Sequence, residues 1–134
     1  MRRRYIKPML NLDELKFSLS VAWDDPWYRW QSIATLCTAL AGSGYFLWRV
    51  IPEGLRSGLL VLHYNPYVGI DEVQSWPWII ALPSALLLVI VIDVLVAGFL
   101  FRRDRLASRV ILLMASAFTM MGLVGATFLM LVNL

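Results

Sequence analysis

Residues 78–101 read WIIALPSALLLVIVIDVLVAGFLF, an apolar run broken by one charged residue, Asp93. As a helix rising about 1.5 Å per residue, this run reaches about 36 Å, enough to cross a hydrocarbon layer about 30 Å thick. Two further runs of the same kind flank it, at about Trp30–Ile51 and Val110–Leu134. The pattern predicts an all-α membrane protein. Three transmembrane helices, at about 30–51, 78–101 and 110–134, form one domain over residues 26–134. A cytoplasmic N-terminal arm (1–25) precedes it, and a short extended outer loop (52–77) joins the first two spans.

Composition agrees. Of 134 residues, 60% are hydrophobic and 16% charged, against about 45–50% and about 25% in soluble domains. The net charge of +3 invites a nucleic-acid reading, but no basic helix or aromatic stacking platform stands outside the apolar runs. The basic residues instead follow the asymmetry of membrane topology. Of the 12 Lys and Arg, Arg2, Arg3, Arg4, Lys7, Lys16 and Arg29 precede the first run. Arg102, Arg103, Arg105 and Arg109 lie between the second and third. Only Arg49 and Arg56 fall at the other end. Positive charge in short loops stays on the cytoplasmic side, so the N-terminus is expected inside, the loop and C-terminus outside, in a bacterial inner membrane. Arg2-Arg3-Arg4-Tyr5-Ile6-Lys7 echoes a twin-arginine signal. Its apolar region begins more than twenty residues later, so the first span is read as an uncleaved anchor.

Aromatic residues fit two headgroup belts, Trp23, Trp27, Tyr28 and Trp30 inside, and Tyr45, Trp48, Trp76 and Trp78 outside. Asp25-Pro26 starts the first long helix, the carboxylate capping free amides and the proline filling a position whose N–H is unused. Pro52 is expected to end it. Pro83 is expected to kink the second span near its outer end. In the arm, Phe17–Trp23 alternates large and small residues and suits an extended strand on a greasy surface. Leu59–Tyr64, between turn residues and before Asn65-Pro66 and Gly69, predicts a hairpin or extended excursion.

Small residues supply the packing surfaces. Ala34, Thr38 and Gly42 recur every four residues on the first span; Ala115, Thr119, Gly122 and Ala126 share a face of the third. Cys37, the single cysteine, reads as a small packing residue.

Two places carry polar chemistry. Asp93 lies about 13 Å inside its helix from Arg102, where a carboxylate costs roughly 2.5–3.5 kcal/mol on insertion scales. Thr38, Ser116 and Thr119 fall at about the same depth. Asp93 reads as a polar clasp held by those hydroxyls, as one half of a pair with another subunit, or as part of a proton pathway. His63, the only histidine, precedes Asp71 and Glu72 in the outer loop. One imidazole and two acids make neither a metal site nor a catalytic set, so structural hydrogen bonding is the expected role.

The loop also carries a resemblance. Ile51-Pro52, then His63-x-Asn65, Gly69, Asp71 and Ser75 before an apolar helix, is similar to the outer-loop signature of a bacterial membrane domain found in SdpI-type immunity and signalling proteins. Gly69 sits one place late, Gln74 replaces a second glycine and Trp76 a lysine, and the likeness covers about Val50–Leu100. It implies a loop packed on the outer helix ends and carries no reaction.

Functionally, the sequence reads as a non-catalytic accessory subunit of a larger membrane complex, with no cofactor and no nucleic acid. Its partners are the lipid bilayer and other membrane-protein subunits. An SdpI-like immunity or sensing protein, and a small proton-linked transporter using Asp93, are the alternatives.

Overall fold

The structure, a computed structural model, describes residues 12–65, 67 and 69–134, and of Tyr64, Asn65 and Asp71 the backbone alone. The topology charges Arg2, Arg3, Arg4 and Lys7 lie outside the described residues. Among the described residues the order is α1 (Leu12–Asp24), α2 (Pro26–Ser57), β1 (Leu59–Asn65), β2 (Gly69–Ser75), a 3-10 turn (Trp76–Ile80), α3 (Ala81–Leu100) and α4 (Arg105–Asn133).

The apolar runs become helices. Trp76–Leu100, combining the 3-10 turn with α3, and Arg105–Asn133 are each long and apolar enough to cross a bilayer, with 22% of the most apolar stretch of each buried inside the chain. The other faces carry large exposed side chains such as Leu88, Leu95, Met114 and Met121. α2 has 32 residues, about 48 Å of helix. It is less apolar, because it brings Ser32, Thr35 and Ser43 to its buried face.

Contacts fix the relative directions. Tyr28 near the start of α2 hydrogen-bonds to Val94 near the end of α3, and Phe46 and Val50 near its end pack with Ile79 just before α3. These two helices are therefore antiparallel. Gln31 meets Ser116 and Gly42 faces Leu123, so α2 and α4 run parallel. α3 and α4 turn back on each other through 101–104, with Asp104 Oδ1 accepting from the Ala107 amide at 3.0 Å as the N-cap of α4.

Asp25 caps α2 as expected, its Oδ1 accepting from the Tyr28 amide at 2.9 Å. Pro52 does not end the helix: α2 continues to Ser57, and Gly58, at φ 73°, terminates it with its N–H donating to the Gly54 carbonyl. A proline removes one donor, but near the end of a helix the chain tolerates that loss, and the left-handed cap that glycine adopts at little cost makes the stop. Pro83 lies near the expected outer end of the second span, just after the 3-10 turn. It sits in the first turn of α3, where its missing N–H would have no partner within the helix.

The arm corrects a second expectation. Residues 12–24 are helical, not extended. Over seven residues alternation cannot be told from a helical face by periodicity. Ser18 and Ala22, four apart, form the buried stripe of α1, while Asp13 and Glu14 suit the positive end of the helix dipole. Ser18 is buried, and its Oγ donates to the carbonyls of Gly98 at 2.8 Å and Phe99 at 3.0 Å. At Gly98 any Cβ would collide with Leu19 and would lie 2.7 Å from Tyr28 Oη, so glycine there is what lets α1 and α2 both reach α3. Tyr28 leaves the expected inner belt: it is buried, stacks edge-on with Phe101 and donates to the Val94 carbonyl at 2.7 Å.

The α1 end of the bundle collects arginines over aromatic faces. Arg102 lies over Phe17, Arg103 over Phe99, Arg105 over Phe101, Arg109 over Trp27 and Arg29 over Trp30, all within 4.5–5.9 Å of the ring centroids. Arg103 also pairs with Glu14 at 3.0 Å and Arg109 with Asp25 at 3.9 Å. These pairs are partly exposed, so each contributes little to stability.

At the opposite end β1 and β2 form the expected antiparallel hairpin, with Leu59 opposite Ser75 and Asn65 opposite Gly69, and irregular register around His63. Asn133, on the last turn of α4, holds it. Its Oδ1 accepts from the Val61 amide at 2.8 Å and its Nδ2 donates to the Val61 carbonyl at 2.9 Å.

Candidate functional site

The bundle has a hydroxyl-bearing seam between α2 and α4 and an open groove between α3 and α4.

The seam gathers Gln31, Ala34, Thr35, Thr38, Ser116, Thr119 and Met120 around a cavity of about 140 Å³. Thus Thr38, Ser116 and Thr119 do come together, but Asp93 is not joined to them. Gln31 Nε2 donates to Ser116 Oγ at 2.7 Å, and Thr35 Oγ1 lies 2.7 Å from the same oxygen. Ser116 Oγ also lies 2.9 Å from the Leu112 carbonyl, and Thr35 Oγ1 2.9 Å from that of Gln31. Each hydroxyl has one proton, so the short Thr35–Ser116 contact and both backbone contacts cannot all be filled together. Thr119 donates to the Ala115 carbonyl at 2.8 Å. Hydroxyls inside helices commonly turn back to the carbonyl four residues earlier, which is why depth matching alone did not bring them to Asp93. Asp93 is half-buried on α3 and makes no hydrogen bond or ion pair among the described residues.

Gln31 and Thr35 are the members of this seam that depth matching from Asp93 passes over. Their spacing with Thr38, four and then three residues, was the available signal, since it puts all three on one helical face. The small-residue stripe is displaced too. The buried line of α2 runs through Thr35, Ala39 and Ser43, while Ala34 is exposed and Thr38 and Gly42 are half-buried on the flank toward α4. One residue of shift turns the helix by about 100°, and α2 uses the turn to sit between α3 and α4. Gly42 still permits close approach: a Cβ there would collide with Leu123. On α4 the expected face holds, with Ala115, Thr119 and Ala126 buried and Gly122 against Leu86 of α3. Cys37 is exposed on α2.

The groove is larger, about 640 Å³. α3 supplies Leu82, Ala85, Leu86 and Val89, α4 supplies Phe118, Gly122, Gly125, Ala126 and Leu129, and the hairpin closes one end with Leu62 and His63. Its width comes from glycine and alanine: a Cβ at Gly125 would meet no atom within 4 Å. Among the described residues, His63 is the one ionisable residue on its wall. In β pairing His63 stands opposite Glu72. The loop residues singled out in the sequence all fall on this hairpin: His63 and Asn65 on β1, Gly69, Asp71 and Ser75 on β2. The side chains of Asn65 and Asp71 lie outside the described residues. Among the described residues no three of His, Cys, Asp and Glu gather as a metal site.

Comparison with known protein families, with curated proteins and with solved structures finds no match to the chain. What the groove and seam can do therefore rests on their own chemistry. The seam is hydrogen-bonded packing between helices. The groove is an apolar channel open along its length, with a hydrogen-bonding group at one end.

Proposed function

We propose that the chain is a three-span protein of the bacterial inner membrane and a non-catalytic accessory subunit of a larger membrane complex. α2 is its third span. Supporting this, α2 runs beside the two helices apolar enough to cross a bilayer, from the level of Val94 to that of Ile79. The arginine-rich end with α1 faces the cytoplasm and the hairpin faces outward, as the positive-inside asymmetry favours.

Asp93 carries the subunit reading. It is a carboxyl in the middle of an apolar helix, half-buried and without a hydrogen-bonding partner in the described chain. Polar groups at membrane depth pair with one another or with backbone carbonyls of neighbouring helices. A second membrane chain, presenting a donor against α3, supplies what this one lacks. Purification in mild detergent should bring that companion down with the protein, and Asp93→Leu should lose it. A chain isolated alone, with the variant behaving identically, refutes the proposal.

The hairpin favours a second reading, the SdpI-like immunity or sensing protein, because the signature residues lie together on one outer element tied to α4. Replacing His63 and Asn65 with alanine should then change sensitivity to an extracellular peptide toxin; an accessory subunit should show no such effect.

A further inference from the structure

We propose that α1 is an interfacial helix, its flank of Leu12, Leu15, Leu19 and Trp23 seated at the headgroup–acyl boundary of the cytoplasmic phospholipid leaflet. This rests on the bilayer placement and orientation proposed above and not on the existence of a partner subunit. Spacings of three, four and four residues put those four side chains on one flank of α1. The docked stripe, Ser18 and Ala22, divides them from an opposite flank of Asp13, Glu14, Phe17 and Asp24. Leu12 and Trp23 are exposed and Leu15 and Leu19 half-buried, so the outer part of the leucine flank is uncovered by the described chain.

Contacts with α3 fix how α1 lies. Glu14 pairs with Arg103, Ser18 donates to the Gly98 and Phe99 carbonyls, and Ala22 packs with Ala97 and Phe101. From Glu14 to Ala22 α1 advances about 12 Å, yet its contacts stay within 97–103. The helix therefore crosses the end of α3, at the level of the arginines, instead of running alongside it. Its two flanks then point in opposite directions along α3. Phe17 lies under Arg102 and Glu14 beside Arg103, whereas Leu19 covers Gly98, about 6 Å nearer the apolar middle of α3. The leucine flank thus faces into the bilayer and the acidic flank faces the cytosol.

That sidedness selects the occupant. On α3, Leu88, Val91 and Leu95 share the stripe of Gly98 and are exposed beneath α1. The leucine flank is therefore continuous with an apolar helix face at acyl-chain depth. Closely packed membrane helices meet through small residues, but this face offers large ones, and Gly98 is already covered by Leu19. A cytosolic protein would reach the acidic flank and not the leucines. Acyl chains fill such a corner without a matching shape, and apolar flanks of interfacial helices sit about 5–10 Å into the boundary. Charge agrees with this depth. Lys16 is exposed on the outward side of the flank, where its stem can follow the leucines while its ammonium reaches lipid phosphates.

Spin labels on single cysteines test the proposal, in a Cys37→Ala background with the full chain alone in phosphatidylethanolamine–phosphatidylglycerol vesicles. Leu12→Cys with Asp13→Cys, and Trp23→Cys with Asp24→Cys, are adjacent pairs on the two flanks. Each pair reports which way the helix faces at one point along it, and all four positions are exposed. The Leu12 and Trp23 labels should be relaxed by oxygen, shielded from an aqueous nickel chelate, and read about 5–10 Å into the boundary. The Asp13 and Asp24 labels should show the opposite order of accessibility. A label at Leu88→Cys should read deeper than any of them, since Leu88 lies about 15 Å down α3 from Gly98. Equal accessibility within either pair, or the reverse order, overturns the proposal; a deep Leu88 label then leaves the bilayer placement standing. Dipolar broadening of the Leu12 or Trp23 label that vanishes on dilution with unlabelled chain means that a second copy covers the flank, and overturns it equally. An aqueous Leu88 label refutes the bilayer placement itself, and the interfacial helix with it.

Discussion

Ser18 Oγ donates to the Gly98 carbonyl at 2.8 Å, joining helices 80 residues apart in the chain. The contact exists because Gly98 has no side chain to hold α1 away and because its carbonyl, which accepts from the Phe101 amide at 3.3 Å, has a second lone pair for the serine hydroxyl. It makes α1 part of the bundle instead of a loose arm.

Gly98→Val should therefore destabilise more than Ser18→Ala. The valine collides with Leu19 and crowds Tyr28 Oη, and overpacking of this kind costs about 1–3 kcal/mol. The alanine removes one hydrogen bond to backbone, about 0.5–1.5 kcal/mol. Thermal melts in detergent should rank them in that order, with limited proteolysis of 12–25 rising in both. If Gly98→Val melts like wild type, α1 does not dock as described.

Gly42 and Leu123 should behave as a coupled pair. Gly42→Val alone forces α2 from α4 and should cost about 1–3 kcal/mol, whereas Gly42→Val with Leu123→Ala should recover part of it. A double-mutant cycle measures the coupling. Additive losses would mean that the two side chains do not share that space.

Asn133→Ala should free the hairpin without unfolding the helices. It leaves the Val61 amide and carbonyl without their side-chain partners, so hydrogen exchange at Val61 should accelerate while α2 and α4 amides stay protected. Unchanged exchange there would remove Asn133 as the tether.

Topology is open to a direct check. In a Cys37→Ala background, Tyr67→Cys, at 95% exposure, should react with an impermeant thiol reagent added outside intact cells. Leu106→Cys, beside the arginines, should react only after permeabilisation. The reverse pattern inverts the proposed orientation.

Asp93→Asn should leave the unfolding free energy of the isolated chain within about 0.5 kcal/mol of wild type, as expected where no in-chain interaction is lost. A large loss of stability would reveal a partner within the chain. Retained fold with abolished proton flux would revive the transporter reading.

Much of this architecture is legible in residue order alone. The apolar runs at 78–101 and 110–134, the Asp25-Pro26 start and the hairpin between turn residues are local or periodic signals, and physics acts on them locally: hydrophobic length, a capped amide, a strand bounded by glycine. Likewise the clustering of arginines at one end follows from counting. The α1 helix was not legible, since seven alternating residues fit two periods and only docking onto α3 selects one. Nor was the end of α2, where Pro52 gives a strong local stop signal and the cap at Gly58 overrides it. The same holds for the seam. Depth along separate helices suggested Asp93 with Thr38, Ser116 and Thr119, but hydrogen bonding depends on rotation about each helix axis, and a rotation of one residue sends the hydroxyls toward α4 and Gln31 instead. Chain order thus determined that the long apolar segments are helices, which of them are apolar enough to leave water, and where the charge lies. Tertiary packing alone decided which faces meet, that Gly98 admits α1, and that glycine and alanine from two distant segments open a groove beneath His63. Those outcomes turn on angles and clearances between segments, quantities that no single segment contains.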